Sequence, residues 1–208
     1  DWLVYDSTGV LVKKETYKEG NKISEINYKR ETGPKINDSL VIVLKMINQE
    51  IYKYHDSVRL IESSHGKKST EYQRTVSLNA LHTSKLLEEL DKIISKFGYP
   101  GKTLAGTEYT IAFSIISIAN TAYKEKYAAL IVDAANKGEL DWTDVAFFVD
   151  KLKVAKKEKQ TYGTQYKFDE QKKKILYYPV EDPANLNERR KKVGLHEMEY
   201  NAMEFINY

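Results

Sequence analysis

The sequence predicts a mostly α-helical protein, an antiparallel helical bundle that carries a C-terminal β-hairpin and a small N-terminal β segment. The first observation is periodicity: from Asp38 onward, apolar residues recur in steps of three and four, as in helices that bury one face. The second is that residues 1–33 are rich in aromatic residues separated by glycines, which is typical of short strands and turns. We therefore expect a β segment over residues 1–33 and a helical domain over residues 38–208.

The N-terminal segment has the spacing of a short repeat. It reads Trp-x-x-Tyr-Asp-x-x-Gly-x-Leu from Trp2, followed by Tyr-x-x-Gly from Tyr17. This pattern resembles one unit of the bacterial MORN-like β-hairpin repeats, which are often described as antitoxin components. Because a single repeat cannot bury its own face, the resemblance implies further repeats before Asp1. The alternative interpretation is a local hairpin that leans on the helical domain. The turns and the linker that the spacing predicts lie at residues 6–9, 19–21 and 32–34.

Two long helices are expected after the linker. The first runs from Asp38, which is placed to cap it, to a break at residues 64–67. The second covers about residues 69–97 and is closed by Gly98 and Pro100, which favour a helix end. A connected antiparallel pair is the simplest way to bury both apolar stripes.

The remaining elements follow from the same patterns. A third helical region over about residues 107–136 is apolar on nearly every side of its first half, which places it at the centre of the bundle. The later elements, in order, are a fourth helix from Asp141 or Thr143 to about residue 157, a hairpin of residues 162–168 and 175–180, a short helix over residues 187–192, and a further helix considered from His196.

Composition excludes several classes of protein. Hydrophobic residues make up 41% of the 208-residue chain, which is enough for a core. The longest apolar stretch, residues 111–122, is interrupted by serine, asparagine and threonine and is too short to span a bilayer, so we expect no transmembrane segment. The 33 basic and 30 acidic residues are mostly interleaved. No nucleic-acid partner is expected from this balance.

No metal or cofactor is expected either. The chain has no cysteine, which excludes disulfides, thiol catalysis and cysteine-ligated zinc. Its histidines, His55, His65, His82 and His196, lack the spacing of metal ligands on one helix face. Neither a phosphate-binding glycine loop nor a nucleophilic serine motif occurs.

The helical domain contains a set of polar and glycine-containing motifs. They are Asp56-x-x-Arg59, Phe97-Gly98-Tyr99-Pro100 with Gly106, Gln160-x-Tyr162-Gly163-Thr164-Gln165, Asp182, and Arg189-Arg190-x-x-x-Gly194-Leu195. Together, over residues 38–200, they resemble an uncharacterised bacterial domain family of unknown function. The resemblance implies a mostly helical fold and no established activity. The composition predicts a soluble protein, and the resemblance implies a bacterial one. Because the chain begins at Asp1 rather than methionine, both a cytoplasmic protein and an exported one whose signal has been removed are expected possibilities.

The chain departs from this family pattern in two places. Family members carry Gln-His in the central helix, where this chain has Ser117-Ile118, and Gln after the aspartate of the first-helix motif, where it has Ser57. A buried histidine is a natural general base or metal ligand. If the family is enzymatic, the resemblance implies that this member has lost that chemistry.

The polar motifs predict one ligand-binding site. A glycine beside a tyrosine lets a ligand approach the main chain, and paired arginines match a carboxylate or phosphate in shape and charge. Each motif also has a structural interpretation, namely a surface ion pair on the first helix, a strand entry that needs glycine, and an arginine that holds an aspartate. The predicted site residues are Asp56, Arg59, Tyr162, Gly163, Gln165, Asp182, Arg189 and Arg190.

Three functions remain open at this stage. The leading hypothesis is a non-catalytic module that binds a small anionic ligand or a protein partner through this pocket. The alternative is a hydrolase-like enzyme that uses Asp56 as base and the arginines as electrostatic stabilisers. A third, suggested by the N-terminal repeat alone, is an antitoxin- or immunity-type protein that binds a partner through an aromatic patch at Trp2, Tyr5 and Tyr17.

Overall fold

The computed structural model of the chain describes residues 1–5, 11–28, 36–200 and 203–206. It divides the chain into two compact units, residues 1–35 and 36–208. The structure is mostly helical, with a three-stranded sheet in the first unit and a two-stranded hairpin near the C-terminus, so the predicted fold class is confirmed. The turn expected at residues 6–9 and the linker expected at residues 32–34 lie outside the described residues.

The first unit is an antiparallel sheet in the order β1, β2, β3. Its strands are β1 (Trp2–Tyr5), β2 (Leu11–Lys18) and β3 (Asn21–Asn27). The predicted turn between the last two strands is confirmed: Glu19 and Gly20 both have positive φ, 52° and 81°. Two successive positive φ angles are the geometry of a two-residue hairpin turn whose twist matches its strands.

One face of this sheet carries a network of ion pairs. Lys13 lies 2.7 Å from Glu15, and Lys22 lies 2.6 Å from Glu25. Hydrogen bonds from Lys13 and Tyr17 lower the pKa of Glu15 to about 2. Trp2 packs edge-on against Tyr17, with ring centroids 6.4 Å apart. The charged network and the aromatic pair therefore share one exposed surface.

The second unit begins with two 28-residue helices, α1 (Asp38–His65) and α2 (Thr70–Phe97). The cap of α1 differs from the prediction: Asn37, not Asp38, accepts a hydrogen bond from the backbone N–H of Leu40 at 3.0 Å. Asp38 lies in the first turn, where a carboxylate still interacts favourably with the helix dipole. Ser69 caps α2 in the same way, through the N–H of Tyr72 at 3.1 Å.

The two helices pack along their length and supply much of the core. Because only four residues join them, they run antiparallel, as predicted. Their fully buried side chains include Leu44, Ile51 and Leu90. The rings of Tyr54 and His82 stack between the helices with centroids 4.4 Å apart.

The central region is not the single helical stretch that the apolar pattern predicts. It consists of α3 (Lys102–Ala105), a 3₁₀ turn at Gly106–Glu108, α4 (Thr110–Ile118) and α5 (Thr121–Asn136). The break falls at Asn120, whose backbone is extended and whose side chain accepts from the N–H of Tyr123 at 2.9 Å. Because Asn120 has an extended backbone and caps α5, it cannot continue the backbone hydrogen bonds of α4. The prediction that α4 is central is correct, since Ile115 and Ile116 are fully buried.

The C-terminal region completes the fold. The predicted hairpin is present but shorter than expected, and the chain end pairs beside it, because Tyr177 donates to the carbonyl of Glu204 at 2.8 Å. No helix begins at His196 within the part of the chain described up to residue 200. The elements are α6 (Trp142–Ala155), β4 (Tyr166–Asp169), β5 (Lys174–Tyr177), a 3₁₀ turn at Pro183–Asn185, and α7 (Leu186–Lys192).

We predict that residues 36–208 fold without the N-terminal sheet. The main hydrophobic core of the second unit is drawn from residues 40–148 alone. Deleting residues 1–35 should therefore leave a single cooperative unfolding transition, with a melting temperature within about 5 °C of the full chain. The measurement is circular dichroism at 222 nm during heating. A broad, non-cooperative transition in the shortened chain would contradict this division.

Candidate functional site

Six of the eight predicted site residues lie around one buried carboxylate, that of Asp150 on α6. We call this group the Asp150 cluster. Asp150 is fully buried, and sequence reasoning did not select it. The cluster consists of Asp150, the loop of residues 160–165, Glu181, Asp182, Arg189 and Arg190.

The Asp150 carboxylate holds the loop by its main chain. It accepts hydrogen bonds from the backbone N–H groups of Thr161 at 2.7 Å, Tyr162 at 3.0 Å and Thr164 at 2.9 Å, and from the Thr164 hydroxyl at 3.0 Å. A buried charge needs such partners to offset its desolvation. Gly163 has a φ of 67°, and an added Cβ would meet the Met198 sulfur at 3.4 Å. The loop therefore wraps the carboxylate in a conformation that favours glycine at this position.

Gln160 ties the same loop to the strand that follows. Its buried side-chain amide donates to the carbonyls of Gln165 at 3.0 Å and Tyr178 at 2.7 Å, and its oxygen accepts from the Gln165 N–H at 2.8 Å. The Gln165 side chain donates to Thr164 Oγ1 at 2.9 Å. These contacts give both glutamines a structural role.

The two predicted arginines bond mainly to backbone carbonyls. Arg190 donates through Nε to His196 at 2.6 Å and through Nη1 to Tyr162 at 2.6 Å. Arg189 donates through Nε to Thr161 at 2.9 Å and through Nη2 to Glu181 at 2.6 Å.

The charge environment agrees with a structural role for these guanidiniums. Burial lowers the pKa of Arg190, and the Asp150 charge acts in the opposite direction. Arg189 also pairs with the Asp182 carboxylate at 3.2 Å. This is the contact expected if the arginine has a structural role and holds that aspartate. Guanidinium groups that hold carbonyls in this way have few N–H donors left for a dissolved anion.

A polar triad extends the cluster toward the surface. Lys153 lies 2.8 Å from Glu181 Oε2 and 2.7 Å from the Thr161 hydroxyl, which in turn donates to Glu181 at 2.9 Å. Burial raises the pKa of Glu181, but the hydrogen bonds from Lys153 and Thr161 outweigh it, so the net shift is downward. The triad adds a second tie between α6 and the loop.

Asp56 and Arg59 are placed differently. They line a shallow, open depression with Leu60, Glu62 and Ser63, all from the last turns of α1. Neither side chain forms a hydrogen bond or ion pair with another residue that the structure describes, so the surface ion pair considered from their spacing is not made. No described contact joins them to the Asp150 cluster. A pocket shared by all eight residues stays a prediction.

A second concave surface lies between four helices, and none of the eight predicted site residues lines it. We call it the helix groove; its volume is about 390 Å³, within the usual range of small-molecule sites. α1 contributes His55, α2 contributes one long wall, and the junction of α4 with α5 contributes the other. The lining residues are His55, Asn79, Ala80, Thr83, Ser84, Leu87, Glu88, Asp91, Ile118, Ala119, Asn120 and Tyr123.

Asp91 is the most strongly bonded residue of the groove. Its carboxylate accepts from the hydroxyls of Tyr123 at 2.7 Å and Tyr127 at 2.5 Å, and from Lys126 Nζ at 2.5 Å. Partial burial raises the pKa of Asp91, yet the three donors together outweigh it and lower that pKa. The pKa values of Tyr123 and Tyr127 are raised, mainly by burial and to a smaller extent by their hydrogen bonds to Asp91. The groove therefore contains an ionised carboxylate near neutral pH.

Other groove residues have hydrogen-bonding capacity left. His55, Ser84 and Glu88 make no side-chain hydrogen bond or close ion pair with any described residue. Ile118, at the position where the family resemblance places histidine, forms part of the wall and is 39% exposed. The adjacent Ser117 hydroxyl is buried without a described partner.

Two further observations limit the kinds of site in the described chain. In the ranges 1–5, 11–28, 36–200 and 203–206, no three histidine, aspartate or glutamate side chains are grouped so that they could hold a metal ion. Over the same ranges, every helix is too short or too polar to cross a membrane.

Comparison with models of protein families gives a match over most of the chain. Residues 56–206 match the model of DUF6624, which is described as a family of unknown function. No curated protein and no solved structure matches the chain. The matched range begins at Asp56 and includes the Asp150 cluster and nearly all of the helix groove, but not the N-terminal sheet.

We predict that Asp150→Asn strongly destabilises the second unit. The substitution removes the charge and turns an NH₂ group toward backbone donors, so at least one backbone N–H group, that of Thr161 or of Thr164, loses its acceptor. The expected loss is about 2–4 kcal/mol of unfolding free energy, measured by urea denaturation. Asp133→Asn is the matched control, because that residue makes only a surface ion pair with Lys137 and should cost less than about 1 kcal/mol. Equal effects of the two substitutions would contradict the central role of Asp150.

We also predict a pH dependence that comes from Asp91. Its folded-state pKa lies below the ordinary value of 3.8, so its stabilisation is complete above that value and is lost as the pH falls through the folded pKa. Asp91→Asn should cost about 1–2 kcal/mol near pH 7. The difference from the parent protein should shrink steadily below about pH 4. Urea denaturation from pH 7 to pH 2.5 measures it, and a difference that is constant with pH would rule out this account.

Proposed function

The chain belongs to DUF6624, a family of unknown function, and on that premise we propose that it is a non-catalytic module that binds a small ligand in the helix groove. In this proposal the Asp150 cluster serves as scaffold, while the ligand contacts α1, α2 and the junction of α4 with α5.

One contrast supports the proposal. The polar groups of the Asp150 cluster are bonded to one another, whereas His55, Ser84 and Glu88 in the groove make no side-chain hydrogen bond or close ion pair with a described residue. Concave surfaces with a few convergent, unused polar groups are the usual form of small-molecule sites. The groove combines these groups with apolar wall at Leu87 and Ile118.

The same residues favour binding over catalysis. Asp91 is held by three donors, which keeps its proton affinity low and makes it a poor general base. Ile118 places an alkyl group where a histidine would supply acid–base chemistry. The hydrolase hypothesis needs Asp56 beside the arginines, and no described contact supports that arrangement.

A second candidate function concerns the N-terminal sheet. Trp2, Tyr5 and Tyr17 expose 70%, 54% and 40% of their surface, and Trp2 and Tyr17 touch on one face. Exposed aromatic residues at this density favour a protein-binding surface. This candidate is separable from the first, because deletion of residues 1–35 should abolish partner binding and leave ligand binding unchanged.

The groove proposal is tested by filling the groove. Ala80 is exposed and lines the groove, so Ala80→Trp should occupy it without disturbing the core. Amide NMR shifts of groove residues during a fragment screen should identify at least one ligand for the parent protein. Binding should be lost in Ala80→Trp.

Ser95→Trp is the matched control, since Ser95 is exposed on the same helix and does not line the groove. This variant should bind the same fragments as the parent. Melting temperatures of both variants, compared with that of the parent, establish that they are folded. Absence of any groove-directed fragment, or binding that survives Ala80→Trp, would refute the proposed function.

A further inference from the structure

Resting on the proposed function, we infer that the helix groove selects an organic cation, a compact ammonium group attached to a short apolar body. The inference names the ligand class, and it differs from the anionic ligand that the arginine motif suggests. The inference depends on the charged side chains that line the groove and on which of them already have an ion-pair partner.

The charged residues that line the groove are acidic. Glu88 and Asp91 both line it, while no lysine or arginine among the described residues does so. An anion would therefore meet two carboxylates, and the lysine that pairs with one of them, Lys126, does not line the groove. This imbalance disfavours phosphate- and carboxylate-bearing ligands at this surface.

The two carboxylates differ in how far they are compensated. Asp91 is paired with Lys126 and bonded by two tyrosine hydroxyls. Glu88 has no hydrogen bond or close ion pair with a described residue, whereas its neighbour Glu89 pairs with Lys92 at 2.6 Å. Glu88 interacts with Lys92 only beyond ion-pair distance, so it is the less compensated of the two carboxylates of the groove.

The backbone does not reverse this preference. The C-terminus of α4 and the N-terminus of α5 meet at Asn120, in the groove wall. Their partial charges are opposite in sign and lie close together, so they largely cancel. Side-chain charge decides the selectivity.

The rest of the lining fits an apolar body with a polar head. Leu87, Ile118 and Ala119 provide alkyl surface, and Ser84 provides a hydroxyl without a described partner. An ammonium group can donate to Glu88 and to a hydroxyl oxygen at once, because it carries up to three N–H donors. The alkyl chain then covers the apolar wall.

The experiment compares three probes with the same short alkyl body: n-butylammonium, 1-butanol and butyrate. Each is titrated into ¹⁵N-labelled full-length protein, and the dissociation constant is taken from the amide shifts of groove residues. We expect n-butylammonium to bind at least about threefold more tightly than 1-butanol, which corresponds to one exposed ion pair, and butyrate to bind most weakly. Raising the salt concentration should reduce the difference.

Two glutamates of α2 provide the variant and its control. Glu88→Gln should weaken n-butylammonium binding at least about threefold and leave 1-butanol binding unchanged. Glu71→Gln, a change at an exposed glutamate that does not line the groove, should change neither. Nα-acetyl-lysine-N-methylamide, titrated in parallel, distinguishes a free amine from a lysine side chain presented by a peptide, since tighter binding than n-butylammonium would indicate the peptide source.

The outcomes separate this inference from the proposed function. Butyrate binding in the groove as tightly as n-butylammonium, or an unchanged affinity in Glu88→Gln, would overturn the ligand class while leaving a ligand-binding groove. Failure of all three probes, with other fragments still binding in a manner abolished by Ala80→Trp, would also overturn it. Failure of every fragment would instead refute the proposed function itself.

Discussion

A carboxylate enclosed by backbone N–H groups is the interaction on which the C-terminal region depends. Asp150 is unfavourable in the core unless the loop of residues 160–165 directs its amides inward, and that loop has little regular structure of its own. Helix α6 and the loop therefore require each other. Arg190 brings α7 into the same arrangement, because it donates to the loop carbonyl of Tyr162 and interacts with the Asp150 charge.

Much of the fold could be predicted from periodicity and helix caps, because both are local. The ends of α2 at Ser69 and Gly98 follow from capping chemistry alone. The break at Asn120 was missed because apolar residues continue on both sides of it, although an asparagine before a new helical turn was a usable signal. Asn37 and Asp38 are both good caps, and only the backbone geometry distinguishes them.

The site was harder to predict, for two physical reasons. Asp150 lies between Val149 and Lys151 in an amphipathic helix, where a charged residue is ordinarily expected on the exposed face. Its burial is decided by a loop more than ten residues away. The helix groove is lined by residues of four helices, between positions 55 and 123. These residues are too far apart in the sequence to form a recognisable motif. The sequence motifs therefore identified most of the Asp150 cluster, whose residues bond to one another, whereas the helix groove is formed only by the packing of separate helices.

Arg189 and Arg190 bond mainly to backbone carbonyls, and this affects which substitutions the region can tolerate during evolution. All but one of their hydrogen bonds end on main-chain oxygens, at Thr161, Tyr162, Glu181, Asp182 and His196. Every amino acid offers the same carbonyl, so these bonds place no restriction on which side chains occupy the five positions. The restriction falls on the donors, because a lysine cannot reproduce a planar group with several fixed N–H directions. Change at Tyr162 and His196, whose side chains make no hydrogen bond with a described residue, is therefore compatible with constancy at the two arginines and one unchanged structure.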